Sequence, residues 1–439
     1  MIMMLDYTPL YMFLVLMLAL AVGIPISFSL LIVALLFGTA LWGIGGISLA
    51  ISAVWGTMNN FTLIAIPLFI FMALILQKAK VVEDLYDAFY KWSGPLHGGL
   101  AVATILVGAM LGAISGVVAA GVIGLGLIGL PQMIRHGYDR KIGIGSVMAG
   151  GTLGQLIPPS TNMVVYGAVT GVSIGGLFAG GIICGLLLAF IYSIYILLRS
   201  YFNNELCPAL PLNERATTKE KFEALRNVFL PSMLIIIVLG SILTGIATPT
   251  EAASFGAGGA VLLVALNRKL TKYLIFESSV ETLEITAMVC WIIIGAAAFG
   301  SIFSGIGGNV LIGNIATSLP GGSWAILAVA IFFIFILGMF LEPAAMIMLA
   351  APIVSPLIAK AGFDPLWWGL IFMVLLQVAY LSPPFGFTLF YMKGAAPKDV
   401  TIEEIYSAAI PFIILQMIGL AIIIAFPQVA LWLPQVMLN

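Results

Sequence analysis

Charge is what this chain most conspicuously lacks. Of 439 residues only 8% are Asp, Glu, Lys or Arg, while 62% are hydrophobic; a soluble domain carries about a quarter charged residues. With a mean hydropathy of +1.19, the chain is expected to be an all-α polytopic membrane protein. Histidine is nearly absent too, His97 and His136 being the only two. The three cysteines, Cys184, Cys207 and Cys290, show no CxxC spacing, so neither a disulfide framework nor a clustered catalytic metal is expected. No Asp falls in an apolar span and no Ser there has a His or Lys beside it, which disfavours an intramembrane enzyme. No GxxxxGK[ST] stretch occurs, so ATP is not hydrolysed here. The net charge of −1 is segregated by loop, and no nucleic-acid partner or cofactor is expected. The opening "MIMMLDYTPL" lacks the basic region of a signal peptide, so the first apolar segment is expected to be a retained span.

Apolar segments of spanning length lie at 8–22, 26–42, 61–76, 142–170, 174–198, 228–247, 252–266, 285–306, 366–391 and 408–430. Two longer ones, 98–134 and 323–361, are interrupted at their centres by "AISGVVAA" and "GMFLEPAA". If both are re-entrant hairpins, ten crossings remain and loops 78–91, 135–141, 199–226, 268–272 and 393–398 share one face. That face holds 16 of the 17 Lys and Arg residues, Lys360 being the exception, and is therefore cytoplasmic, with both termini periplasmic. Two full crossings per stretch would give the same sidedness. The broken centres, which carry no aqueous loop residues, favour hairpins. Segment 78–92, apolar at 81, 82, 85, 89 and 92, is expected to be an amphipathic helix along the interface. The single hydrophilic connection, 203–227, joins the two halves.

The chain repeats itself. "HGYD" at 136–139 answers "AGFD" at 361–364, Pro158-Pro159 answers Pro383-Pro384, and Tyr166 answers Tyr391, all at an offset of 225 residues. Each half holds an odd number of crossings, so the second is expected to be inverted relative to the first. Two inverted repeats of five crossings plus one hairpin each, with broken helices, mark secondary transporters whose site lies where the interruptions meet.

Paired prolines inside "GGTLGQLIPPSTNMVVYG" leave backbone carbonyls unpaired, which lipid does not tolerate. Freed carbonyls, with the hydroxyls of Ser160 and Thr161, are hard oxygen donors for a small alkali cation. The half-helix beginning near Ser160 aims its positive end at the same place, which suits an anion. "AYLSPPFGF" offers Ser382 and the same prolines. Paired prolines could instead merely end helices at loops, but two occurrences at one offset, each deep in an apolar segment, favour a site. At the hairpin centres, Ser115 and Gly116 would also serve close helix packing. Glu342 is either the neighbour of a cation or the cap of the helix that Pro343 begins. Thr248-Pro249-Thr250-Glu251 reads as a capping box without a transport role, and Arg135, Arg140 and Lys141 as cytoplasmic anchors.

With "GGTLGQLIPPST" and "LSPPFGFTLFYMKGAAP" in view, the chain resembles the large membrane subunit of TRAP (tripartite ATP-independent periplasmic) transporters. "GIPISFSL", "TPTEAASFGA", "LFAGGIICGLLL" and the final "IPFIILQMIGLAIIIAFP" extend the likeness nearly end to end. The resemblance implies an elevator-type fold akin to the ion transporter superfamily, in a bacterial or archaeal cytoplasmic membrane. Regions 98–170 and 323–392 would form the transport domain, sliding against a scaffold of 1–97, 171–322 and 393–439. It further implies sodium sites at Ser115, Gly116, Pro158 and Ser160 and at Gly338, Glu342, Ser382 and Pro383. The substrate would lie between the tips, near Ser115, Thr161, Asn162 and Ser382. "SGVVAA" is poorer in hydroxyls than such tips usually are, which shifts ligation there toward backbone carbonyls. The implied partners are a small four-helix membrane (Q) subunit and a soluble periplasmic substrate-binding (P) protein, and the implied cargo is a small organic acid. A stand-alone sodium-coupled dicarboxylate carrier with similar hairpins is the alternative; a passive channel fits inverted broken helices less well.

Overall fold

The structure is a computed structural model describing residues 7–115, 118–318 and 320–438. No strand occurs among the described residues. The chain opens with α1 (Thr8–Ala21), α2 (Ile26–Trp42), α3 (Ile44–Met58) and α4 (Ala65–Lys78). Helix α3 was not among the expected spans. Its Gly, Ser and Thr residues dilute its hydropathy, yet their small size lets it lie flat on a neighbour. The amphipathic arm follows as α5 (Val81–Ser93). It buries Val81, Leu85, Tyr86 and Ala88, but Trp92, expected on the apolar face, is 45% exposed.

The first interrupted stretch forms α6 (Gly99–Ser115) and α7 (Val118–Arg135). The expected span 142–170 is divided into α8 (Arg140–Thr152) and α9 (Thr161–Thr170), followed by the long α10 (Ile174–Phe202). Helix α11 (Thr218–Leu243) opens on a Thr217–Glu220 capping box, so the hydrophilic loop is shorter than expected, ending at 217. Here Trp92 finds its partners: its ring meets Phe222 edge-on and its Nε1 donates to the Lys221 carbonyl. Helix α12 (Pro249–Leu266) begins with the anticipated Thr248–Glu251 capping box.

Helix α13 (Lys272–Gly305) starts well before the apolar run at 285. Its polar opening is held by Lys78, whose Nζ lies 2.8 Å from carboxylate oxygens of both Glu277 and Glu281. Helices α2, α3 and α4 all pack along α13. After α14 (Gly308–Ser318), the second interrupted stretch gives α15 (Gly322–Gly338) and α16 (Pro343–Lys360), and the second broken helix gives α17 (Pro365–Leu381) and α18 (Phe387–Ala395). The expected span 408–430 is two helices, α19 (Ile402–Ala425) and α20 (Pro427–Leu438). Pro427 forces Phe426 out of helical conformation, to φ −127° and ψ 77°, as proline does to its predecessor.

Six helices among the described residues are long and apolar enough to cross a bilayer, and α11, bent by 42° around residue 227, makes a seventh candidate. Length alone thus yields fewer than the ten expected crossings: 8–22 and 26–42 are shorter apolar helices, and 142–170 and 366–391 are each split.

The centre of the molecule is built from the split helices. Every residue of α8 from Ile142 and of α17 from Trp367 is buried, as expected of helices apolar all round. Their starts match: Asp139 and Asp364 are N-caps that accept from Ile142 N and Trp367 N, and Gly137 and Gly362 just before them take φ of 76° and 92°. Both Pro158-Pro159 and Pro383-Pro384 are cis. The packing crosses over, for α9 lies on α16 while α18 lies on α7. Each half's broken helix is therefore clamped by the other half's hairpin.

Candidate functional site

At the first break, α8 tightens into a 3-10 turn, Leu153–Gln155, before the prolines remove two backbone donors. Ser160 then N-caps α9, accepting from Met163 N at 3.5 Å while its hydroxyl donates to the Gln155 carbonyl at 2.5 Å. Asn162 Nδ2 donates to Gln155 Oε1 at 3.1 Å. Pro158, Pro159 and Ser160 are all buried. At the second break, Ser382 donates to the Val378 carbonyl at 2.7 Å and the freed Pro384 carbonyl accepts from Tyr406 Oη at 3.1 Å. Pro383 is half-buried, while Pro384 and Phe385 are exposed. One break is sealed; the other opens at the edge of the chain.

Each hairpin meets its own broken helix near the break. A Cβ on Gly151 would lie 2.5 Å from Val122 Cγ2, so only glycine lets the start of α7 approach the end of α8. On the other side a Cβ on Gly338 would lie 2.7 Å from Ala379 Cβ. Phe340 of the second tip and Phe385 of the second break have ring centroids 5.2 Å apart. Of the first tip, Gly116 and the side chain of Ser115 lie outside the described residues.

Between the tips opens a narrow cleft of about 90 Å³, smaller than the roughly 300–1,000 Å³ of sites for drug-sized ligands. Val118 and Ala119 of the first hairpin, Glu342, Pro343 and Ala344 of the second, Thr161, Asn162 and Val165 of α9, and Tyr380, Phe387 and Tyr391 around the second break wall it on one side. Ile66 and Ile70 of α4 and Ile285, Met288 and Val289 of α13 close the other. No described residue lining it is basic. The structure thus brings Thr161, Asn162 and Glu342 to one cleft. Pro158, Ser160, Gly338, Ser382 and Pro383 do not line it; they build the breaks and the contact behind it.

Glu342 occupies the N-cap position of α16, where the Ala344 and Ala345 backbone N–H groups approach its carboxylate without strict capping geometry, and its Oε2 is buried without a partner. Capping and a neighbouring cation are thus compatible, and capping alone leaves Oε2 unsatisfied. Tyr380 Oη and Gln155 Nε2 are likewise buried and unpartnered, whereas most buried polar atoms find a hydrogen bond. An unpartnered carboxylate oxygen in a cleft also lined by Thr161 and Asn162 offers the hard oxygen chemistry that fits a small cation such as Na⁺.

Tyr380, Phe387, Tyr391 and Met288 escaped the sequence reading because aromatic and Met residues in apolar segments look like core. The offset had paired Tyr391 with Tyr166, yet these two serve different ends: Tyr166 hydrogen-bonds Ser355 at 3.0 Å inside the core, while Tyr391 faces the cleft.

Residues 12–429 match the family model described as tripartite ATP-independent periplasmic transporter, DctM component. The chain is 33% identical over 390 residues to the C4-dicarboxylate TRAP transporter large permease protein of Pseudomonas aeruginosa, covering 88% of this chain and 89% of that one. It is 29% identical to the sialic acid TRAP transporter large permease protein of Vibrio cholerae, covering 95% and 96%. The fold resembles that of the YdaH transporter of Alcanivorax borkumensis, with a TM-score of 0.58 at 13% identity over 92% of this chain and 98% of that one. The protein is a multi-pass membrane permease that belongs to the DctM family, the large membrane component of tripartite ATP-independent periplasmic transporters.

Proposed function

We propose that the chain carries out sodium-coupled uptake of a small organic acid, delivered by a periplasmic substrate-binding protein and assisted by a small membrane subunit. The observation that carries this reading is the cleft, where both hairpins and helix segments flanking both breaks contribute walls around Glu342, Thr161 and Asn162. Na⁺ lies beside Glu342, and the solute contacts Thr161 and Asn162 at the positive end of α9. Sodium supplies the cation that the lining lacks, so an anion meets no uncompensated carboxylate. The relatives named for C4-dicarboxylates and sialic acid point to the class of acid.

The elevator reading draws support from the cross-packing of α9 on α16 and α18 on α7, which makes the hairpins and broken helices one body facing α4 and α13. Loop residues 206–210 bridge the end of the arm and the base of the first hairpin. Gly98 N donates to the Cys207 carbonyl, Asp139 N to that of Leu206, and Leu210 N to that of Gly94, tying the loop to the base of the first hairpin.

Each net charge crossing with the membrane potential is worth about 2.3 kcal/mol per 100 mV, so two Na⁺ with one monovalent anion make uptake electrogenic. The test is uptake by proteoliposomes holding the chain, its small subunit and the cognate binding protein. Accumulation that needs an inward Na⁺ gradient and carries inward positive current is expected. Accumulation without Na⁺ overturns the coupling, Na⁺-dependent accumulation without current overturns the stoichiometry of two Na⁺ to one monovalent anion, and uptake without the binding protein overturns the tripartite reading.

A further inference from the structure

Away from the cleft, a second feature combines a hollow, balanced charge and an exposed apolar track. On the face that carries nearly all Lys and Arg residues, an open hollow of about 870 Å³ lies between the arm α5, the bend of α11 and the turn from α12 to α13. Its lining is two cations, Arg226 and Lys269, two anions, Asp84 and Glu223, the Asn267 amide, and the rings and branches of Phe229 and Leu230. Lys269 Nζ is 3.1 Å from Asp84, whereas Arg226 has no ion-pair partner among the described residues. Phe229 and Leu230 are 62% and 41% exposed, and Met233 and Ile237 continue the same face of α11 at 45% and 54%. Positions 226, 229, 230, 233 and 237 recur at helical spacing, so one stripe of α11 runs from a free guanidinium into lipid-facing apolar side chains.

We propose that this hollow binds a zwitterionic aminophospholipid of the adjacent leaflet. The phosphate is taken by Arg226, Lys269 and the Asn267 amide, the primary ammonium by Glu223 and Asp84, and the acyl chains lie along Phe229, Leu230 and Met233. The two-against-two charge balance selects this headgroup. An anionic lipid such as phosphatidylglycerol would offer the two carboxylates only neutral hydroxyls and no countercharge, and a quaternary ammonium has no N–H to donate. The neighbouring ridge is fixed: Trp92 and Phe222 meet edge-on and Lys221 Nζ sits 5.8 Å from the Trp92 ring centroid. The lipid would complete a junction between the arm and α11 that protein atoms leave open. This inference does not depend on sodium coupling or on the cargo.

The experiment uses the delipidated full chain in detergent. Binding of short-chain phosphatidylethanolamine, phosphatidylcholine and phosphatidylglycerol of matched acyl length, and of inorganic phosphate, is followed by native mass spectrometry and thermal shift. Phosphatidylethanolamine is expected to bind tightest. Arg226→Gln is expected to weaken it about fivefold, the worth of one basic residue at a membrane surface, and Glu223→Gln to erase the preference over phosphatidylcholine. Lys398→Gln on the same face serves as the control and is expected to change nothing. An Arg226→Gln protein that melts like the parent and binds the lipid equally well overturns the site. Equal protection by inorganic phosphate overturns the lipid assignment, and a preference for phosphatidylglycerol or phosphatidylcholine overturns the headgroup.

Discussion

Glu342 concentrates the chemistry into one side chain. An ionised carboxylate within the membrane costs about 2.5–3.5 kcal/mol on insertion scales, and here one of its oxygens is buried without a protein partner. Glu342→Gln keeps the shape and removes the charge. It is expected to raise the Na⁺ concentration for half-maximal uptake at least tenfold, about 1.4 kcal/mol, with little change in melting temperature, because Gln keeps an acceptor oxygen for the Ala344 and Ala345 N–H groups. Uptake titrated against Na⁺, beside a melting curve, checks both halves. Asn162→Ala is expected to cost about 1 kcal/mol of stability, because Gln155 Oε1 loses its donor, and to impair uptake as well. Thr161, Asn162 and Glu342 were legible in the sequence because polar groups in an apolar run need a reason to be there. Tyr380, Phe387 and Met288 were not, since nothing in a sequence distinguishes an aromatic or Met that faces a cleft from one that faces a core.

Between elements, the decisive contacts are close approaches. Gly151→Ala would bring a methyl within 2.5 Å of Val122 Cγ2 and 2.8 Å of Val122 N, overpacking that costs about 1–3 kcal/mol. The variant is expected to melt lower and to lose most uptake, because the first hairpin tip is pushed off the break. Gly124→Ala on the same hairpin arm, where a methyl would meet nothing within 4 Å, is the matched control and is expected to retain both. Another contact titrates. Arg140 Nη2 lies 2.6 Å from Asp399 Oδ2, joining the start of α8 to the loop before α19, and this hydrogen bond holds the Asp399 carboxyl below its ordinary range. Since the folded value lies below the unfolded one of about 3.9, the pair's contribution is complete above that pH. It fades as pH falls through the folded value. Arg140→Gln is expected to remove this acid-side dependence while leaving the melting temperature at pH 7 nearly unchanged, as befits an exposed pair. Melting curves between pH 3 and 7 decide it. Both broken helices were legible from paired prolines at one offset, as was the arm from its apolar spacing. Helix α3 was not, because glycine and hydroxyls hid an element whose role is to fit closely against α13. The division at Phe426 was missed because a single proline inside a strongly apolar run leaves hydropathy almost unchanged.

Across the whole molecule, two halves with matching local devices are clamped through each other, and the clamp leaves one cleft against α4 and α13. The sequence carried the class of architecture and the places where it breaks. It did not carry the unequal burial of the two breaks, which depends on what packs over Pro384 and Phe385. The central claim is that this cleft holds Na⁺ and the organic acid together. It is tested most directly by placing a single reactive cysteine at Ala119 in a Cys290→Ala background and measuring maleimide labelling in membranes. Cys184 and Cys207 stay buried. Na⁺ with substrate is expected to slow labelling at least tenfold, and either alone far less. A labelling rate indifferent to both, in a protein that still transports, would contradict the account.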